Sequence, residues 1–323
     1  MDQNRLIPYG AKDAHFEHAA REGLPLGRVI CQERLLYTVI SEEGEILLAV
    51  TGRFRQSAAH PGEYPVAGDW VLFSERGIEK VLPRSGFLAR VAAGNDPYRQ
   101  PVAANMDVLF VCMPADSTYN RLKLERFLAA AAGSGARPVL LITKADLCAD
   151  IGGLLADARA LAAGADVVAC TSSRPDGFDG ARAYLGPGVT AALIGASGAG
   201  KSTLVNALAG TDIETQAVRQ DGKGRHTTTR RELILLPRGG ALIDTPGMRS
   251  FSLEDSDVAS AFPEIDALAR SCRFRDCAHG AEPGCAVRAA LARGELDARR
   301  LRSYLKLHAE EERRARAVRR AKR

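Results

Sequence analysis

The run Gly195-Ala196-Ser197-Gly198-Ala199-Gly200-Lys201-Ser202, followed by Thr203, has the residue types and spacing that hold a phosphate. Glycines let backbone N–H groups turn inward around a β-phosphate, and a following helix adds its dipole. Lys201 places a charge on the β/γ oxygens, and the Ser202 hydroxyl is placed to ligate Mg²⁺. Asp244-Thr245-Pro246-Gly247 follows the apolar run Gly-Gly-Ala-Leu-Ile. A carboxylate at that strand end can hold Mg²⁺ through water, and the glycine can offer its N–H to a γ-phosphate. Alone, such a tetrapeptide is commonly only a turn. Thr143-Lys144-Ala145-Asp146 ends another apolar run. An aspartate there can accept from N1 and the 2-amino group of guanine, a donor pair that adenine lacks, while the Lys144 stem covers the base. In isolation the same residues read as a charged loop, and beside a phosphate loop they read as a base site. Asp221–Arg230 is polar and glycine-rich; its hydroxyls can complete a Mg²⁺ shell and His226 can orient water, or the segment is a solvent loop with a surface histidine.

A second constellation is Cys272, Cys277, His279 and Cys285. Three thiolates and an imidazole close a tetrahedron around one Zn²⁺ and leave no open position, which makes the role structural. Buried thiols or a redox pair are the alternatives. Cys31, Cys112, Cys148 and Cys170 are scattered in apolar runs and read as core.

These residues need elements to hold them. AALI before the phosphate loop reads as a strand, and STLVNALAG after it as a helix. MDVLFVCMP, PVLLITKADL, ADVVACTSS and VTAALIG are strands alternating with helical stretches, which implies a parallel α/β sheet. From Gly27 to Arg90, short β-rich runs separated by Gly/Pro turns suggest a small barrel, with an OB-fold as one candidate and a β-sandwich as the other. Residues 1–24 are polar and unpatterned and read as a loose arm. Beyond Asp255 the chain reads helical around the cysteine cluster.

The composition narrows the setting. With 46% hydrophobic residues the chain is not mainly disordered, and no long uncharged apolar run suits a membrane span. The charged first residues lack the apolar stretch of a secretory signal. Seven unevenly placed cysteines argue for a reducing compartment, and we read the location as cytoplasmic. The 44 Lys and Arg against 39 Asp and Glu are not spread evenly, because the excess sits in residues 299–323. That segment, free of Gly and Pro, reads as a basic helix, either for a polyanion such as nucleic-acid phosphate or as a solvated face.

The motif order carries a resemblance. TKAD comes first, then Thr171-Ser172-Ser173, then the phosphate loop, HTTT and DTPG, which is the order of circularly permuted GTPases. PVAGDWV, QPVAANMDVLFV, GASGAGKSTLVN, GRHTTT, DTPGMRSF and the Cys/His cluster make the chain similar to the small-ribosomal-subunit-dependent GTPase family RsgA, also called YjeQ. The resemblance implies a multidomain α/β protein. A flexible arm (1–24) would precede an OB-fold RNA-binding domain (25–95), a permuted P-loop GTPase domain (96–254) and a mainly helical zinc-binding domain with a basic helix (255–323). It implies GTP hydrolysis to GDP coupled to late maturation of the small subunit, stimulated by that subunit, whose rRNA it binds; nothing in the sequence demands more than a monomer, and no membrane partner is expected. Lys201 and Ser202 would then bind phosphate and Mg²⁺ with Thr228 of switch I and Asp244 of switch II. Gly247 would sense the γ-phosphate. Thr143, Lys144, Asp146 and Ser172 would form the guanine site. Met248 stands where many GTPases carry a glutamine, and His226 is the candidate to replace it. Thr143 replaces the usual asparagine, keeping a hydroxyl but losing the amide that braces the phosphate loop. Two other classes remain: a P-loop ATPase or small-metabolite kinase, and an rRNA-binding assembly factor with a slow, regulatory nucleotide site.

Overall fold

The computed structural model describes residues 5–33, 35–91, 99–162, 164–196, 198–210, 231–244, 262–274, 276–280 and 282–321. The N-terminal stretch is more ordered than its polar composition suggested. Helix α1 (Asp13–Glu22) ends on Gly23 in the left-handed conformation. Leu6 and Ala11 are buried, and Tyr9, Phe16 and Leu24 pack on the same core. These apolar residues have no regular period, so only their shared destination reveals them.

Strands β1 (Leu26–Glu33), β2 (Leu36–Ser41) and β3 (Gly44–Ala49), helix α2 (Gly52–Ser57), and strands β4 (Trp70–Ser74) and β5 (Gly77–Val81) follow. The strands are antiparallel in the order β3-β2-β1-β4-β5. A bridge between Val50 and Ile78 brings the two ends of that order together. Val29, Tyr37, Val39, Val71, Phe73 and Ile78 fill the inside with Phe54 of α2. Each such side chain stabilises the fold by roughly 1.5–3 kcal/mol on burial. A hairpin of β6 (Phe87–Val91) and β7 (Arg99–Ala104) leads into the second half of the chain.

There the buried runs become strands: β8 (Val108–Pro114), β9 (Arg137–Thr143), β10 (Asp166–Ala169), β11 (Thr190–Gly195), β12 (Arg231–Leu235) and β13 (Ala241–Asp244). Helices α3 (Arg121–Ala132), α4 (Ile151–Leu161), α5 (Asp179–Arg182) and α6 (Lys201–Ala209) lie between them. β10, β9, β8, β11 and β13 are parallel neighbours in that order. The period of two sorts the side chains between faces. Leu109, Val111, Met113, Leu140, Ile142 and Ile194 meet Leu124 and Phe127 of α3 and Leu161 of α4. Phe110, Cys112, Leu141 and Leu193 meet Leu204, Val205 and Leu208 of α6. Both faces are covered, which is why these strands read as unbroken apolar runs.

β12 runs antiparallel to β13, and its other edge pairs with β1, Cys31 opposite Glu232 and Gln32 opposite Arg231. A bulge between Val29 and Cys31 bends β1, so its first half pairs with β4 and its second with β12. The barrel strands and the parallel sheet are thereby one continuous hydrogen-bonded sheet. The C-terminal module holds α7 (Pro263–Ala269), α8 (Ala286–Ala292) and α9 (Ala298–Ala321). Its small core of Phe262, Ile265, Val287, Ala290, Leu301, Tyr304 and Leu307 includes Ala129 of α3. Among the described residues no helix is long and apolar enough to cross a membrane.

Candidate active site and metal centre

The parallel strands deliver their chemistry to one edge. The carboxyl ends of β8, β9, β10, β11 and β13 carry Asp116, Thr143–Asp146, Thr171, Gly195 and Asp244. In open α/β sheets that edge is where ligands bind. Gly195 turns the chain away from β11 at φ 149°, and a Cβ there would lie 2.3 Å from the Cys112 carbonyl oxygen. Gly200 caps α6 in the left-handed conformation, so the helix starts at Lys201 with Ser202 and Thr203 exposed on its first turn. The Lys201 ammonium donates to the Gly195 and Ala196 carbonyls at 2.8 and 2.7 Å, across the mouth of its own loop. Burial lowers its pKa, opposed by Cys112 and Asp244. Burial raises the Asp244 pKa, with Lys201 pulling it back and Glu232 of β12 adding to the rise. The Ser202 hydroxyl and the half-buried Asp244 carboxylate are hard oxygen donors beside this lysine, a set suited to Mg²⁺.

Thr143 shows how the loop is braced without the usual asparagine. Its buried hydroxyl donates to the Ala199 carbonyl at 2.8 Å, tying β9 directly to the phosphate loop. Lys144 adopts φ 54° and its ammonium meets Asp116 at 2.8 Å. That bond and those from Thr118 hold the Asp116 carboxyl down at about 2. The Thr171 hydroxyl donates to Asp146 and is 2.8 Å from the Ser173 hydroxyl, while Ser172 is exposed beside them. Asp116 was passed over in the sequence reading, and Thr171 entered it only as part of Thr171-Ser172-Ser173, with the base contact given to Ser172. Each is a polar residue two positions past the end of a parallel strand, β8 or β10, and that position was the available signal. Ser197, His226, Thr228, Gly247 and Met248 lie outside the described residues.

The cysteine cluster assembles as its spacing suggested. The ligand atoms of Cys272, Cys277, His279 and Cys285 all lie within 4.8 Å of one another. His279 Nδ1 is 3.6 Å from the Cys272 sulfur and 3.4 Å from that of Cys285, and the two sulfurs are 3.9 Å apart. A tetrahedron with Zn–S of about 2.3 Å and Zn–N of about 2.0 Å has edges of about 3.5–3.8 Å, so these donors fit one zinc. Cys285 caps α8, accepting from the Arg288 N–H at 3.5 Å. His279 sits at φ 57° against Tyr304 of α9, ring centroids 5.9 Å apart. Of the remaining cysteines, Cys31, Cys112 and Cys170 are buried and Cys148 is partly so, and burial pushes the Cys112 and Cys170 thiols up to about 12.

A phosphate loop, a strand-end aspartate and the Thr143–Asp146 turn on one edge define a P-loop nucleotide-binding protein. The Thr143–Asp146 and Thr171–Ser173 segments precede the phosphate loop in the chain. The chain belongs to the RsgA GTPase family, whose sequence model matches residues 81–254. "Small ribosomal subunit biogenesis GTPase RsgA 2" of Lactiplantibacillus plantarum is 44% identical over 94% of this chain and 89% of its own length. The Opitutus terrae protein named small ribosomal subunit biogenesis GTPase RsgA is 42% identical, covering 94% of this chain and 88% of its own. Among solved structures, YjeQ from Thermotoga maritima superimposes with a TM-score of 0.65 at 27% identity, covering 89% of this chain and 98% of its own. YloQ, described as a circularly permuted GTPase, superimposes with a TM-score of 0.63 at 27% identity, covering 90% of this chain and 96% of its own.

Proposed function

We propose that the chain is a GTPase that binds the small ribosomal subunit and hydrolyses GTP during late subunit maturation, with turnover stimulated by the subunit. Family membership supports the reading, and the observation that carries it is the bracing of the phosphate loop by Thr143 beside Lys144 and Asp146. In this reading Asp146, steadied by Thr171 and with Ser172 beside it, reads guanine, and residues 195–203 hold the phosphates. Lys201 bears on the β/γ oxygens. Ser202, Thr228 and Asp244 hold Mg²⁺, which supplies charge neutralisation when bound. Gly247 senses the γ-phosphate and His226 orients the attacking water. Cys272, Cys277, His279 and Cys285 hold one structural zinc. Strands β1–β5 form an OB-type barrel for rRNA within residues 25–95, ahead of a GTPase domain (96–254) and a zinc domain (255–323). The protein works as a cytoplasmic monomer.

The test is steady-state hydrolysis by wild type and His226→Ala, with and without purified small subunits, and with ATP as control. Stimulation by subunits that is lost in the variant while GTP binding survives is the expected result. No stimulation, or equal use of ATP, sinks the ribosomal reading.

A further inference from the structure

The sequence treated residues 299–323 as one basic tail, but the fold divides them. Leu301, Tyr304 and Leu307 face inward into the core beneath the zinc cluster. Arg299, Arg302, Ser303 and Lys306 recur at the three- and four-residue spacing of one helix face and line a groove of about 290 Å³. The opposite wall is the first turn of α3, with Arg121 and Glu125, so the groove joins the C-terminal module to the parallel-sheet domain.

The charges around it are unequally committed. Arg300 spans Glu125 at 3.2 Å and Glu264 at 2.6 Å, and stacks over Phe262 at 4.4 Å. Arg121 meets Asp157 at 3.3 Å, and Asp297 caps the start of α9 through the Arg299 and Arg300 N–H groups. Glu125, the acid that lines the groove, is 4% exposed. Among the described residues these acids hold ion pairs or hydrogen bonds within the fold, and Asp297 also attracts Arg299 and Arg121. The side chains of Arg299, Arg302 and Lys306 are exposed and form no ion pair with the other described residues. An exposed row of cations outside any ion pair, of which Arg299 alone feels a nearby carboxylate in Asp297, fits a linear polyanion with regularly spaced charges when it lines a concave seam.

We infer that this seam between α3 and α9 holds an RNA phosphate backbone, so that one strand touches both domains at once. The inference rests on the ribosomal reading only for the source of the RNA. Arg299, Arg302 and Lys306 neutralise successive phosphates, Ser303 donates a hydroxyl, and Arg121 supplies the contact from the other wall. The α3–α9 packing keeps the two walls in register.

The experiment measures binding of the full-length, zinc-loaded protein to a fluorescein-labelled 20-nucleotide polyuridylate and to purified small subunits, across a salt series. Arg302→Gln/Lys306→Gln is compared with Arg270→Gln/Arg293→Gln, which removes the same charge from exposed arginines paired with Asp266 and Glu295. The groove pair is expected to reduce the slope of log K against log[salt] by roughly 1.4 and the control pair to leave it unchanged, since each single-strand phosphate contact contributes about 0.7. Arg121→Gln is expected to reduce it by a further step of roughly 0.7. Equal slopes for the two pairs overturn the proposal, as does polyglutamate competing as well as polyuridylate at equal charge, which would assign the seam to an acidic protein. Subunit-stimulated GTP hydrolysis with groove variants that bind like wild type would leave the proposed function standing and remove this site. Groove-dependent RNA binding without subunit stimulation would do the reverse.

Discussion

Single hydroxyls and ring nitrogens set much of the local behaviour. The Thr143 hydroxyl is the donor that the Ala199 carbonyl receives from β9, and it is 3% exposed. Thr143→Val keeps the shape and deletes the bond, leaving a buried carbonyl short of a donor. We expect about 1–1.5 kcal/mol of lost loop stability, and GTP and GDP affinity lower by about fivefold to tenfold in an equilibrium titration. An unchanged affinity would show that the loop needs no brace. On helix α1, His15 Nδ1 accepts from the Lys12 N–H, and its ring stacks on Trp70 at 4.5 Å. Burial, then the charge of Arg28, lowers its pKa to about 4. The folded state keeps His15 neutral where the unfolded chain, near pH 6.5, already takes a proton. Stability from this group is thus fully present above about pH 6.5 and is lost as pH falls toward 4. For a half-buried ring, screening keeps the effect below about 2 kcal/mol. Trp70 is the one tryptophan, so its emission should titrate near pH 4 in wild type and lose that step in His15→Phe.

At the scale of elements, the zinc module is the piece least able to hold itself together. Among the described residues its three helices share a core of ten residues, one of them borrowed from α3. A metal held by Cys272, Cys277, His279 and Cys285 would therefore supply much of its folding energy. Chelation, or Cys285→Ser, is expected to remove about one equivalent of zinc, measured by metal analysis, and to melt α7–α9. The parallel sheet has its own two-sided core and should persist, so circular dichroism should fall by the helical share alone. Loss of all structure on chelation would show that the sheet depends on the module. The same core explains why the basic run cannot be removed as a tail: a cut near Leu296 also deletes Leu301, Tyr304 and Leu307.

At the scale of the whole molecule, the joint between barrel and parallel sheet turns on one buried side chain. Arg28 of β1 is 1% exposed and lies over Trp70. Its guanidinium donates to the Gly68 carbonyl at 3.1 Å, the Asn105 carbonyl at 3.0 Å, Thr190 Oγ1 at 2.8 Å and the Tyr9 carbonyl. These partners belong to the N-terminal stretch, the barrel, the approach to β8 and the first residue of β11. The far end of β11 carries the phosphate loop. Burial lowers the Arg28 pKa only to about 10, so the charge persists at neutral pH. Arg28→Met fills similar space but strands four acceptors. A loss of roughly 3–5 kcal/mol is expected, read from urea unfolding followed by Trp70 emission and by far-ultraviolet dichroism. Coincident transitions are expected in the wild type, and a cost below about 1 kcal/mol would contradict the role assigned to Arg28.

Much of this protein was written in the order of its residues. The phosphate loop, TKAD and Cys/His spacings were legible because local backbone chemistry demands those residue types at those separations, while Thr245, Pro246 and Gly247 of DTPG lie outside the described residues. The strands of the parallel sheet were legible because burial on both faces leaves an unbroken apolar run. The docking of α1, the fork of β1 between β4 and β12, the five-way position of Arg28, the pairing of Lys144 with Asp116 and the division of the basic helix were not. Each depends on which distant segment lies opposite. A buried arginine and an exposed one are the same letter in a sequence, and only tertiary packing decides which carbonyls, carboxylates or solvent its guanidinium meets.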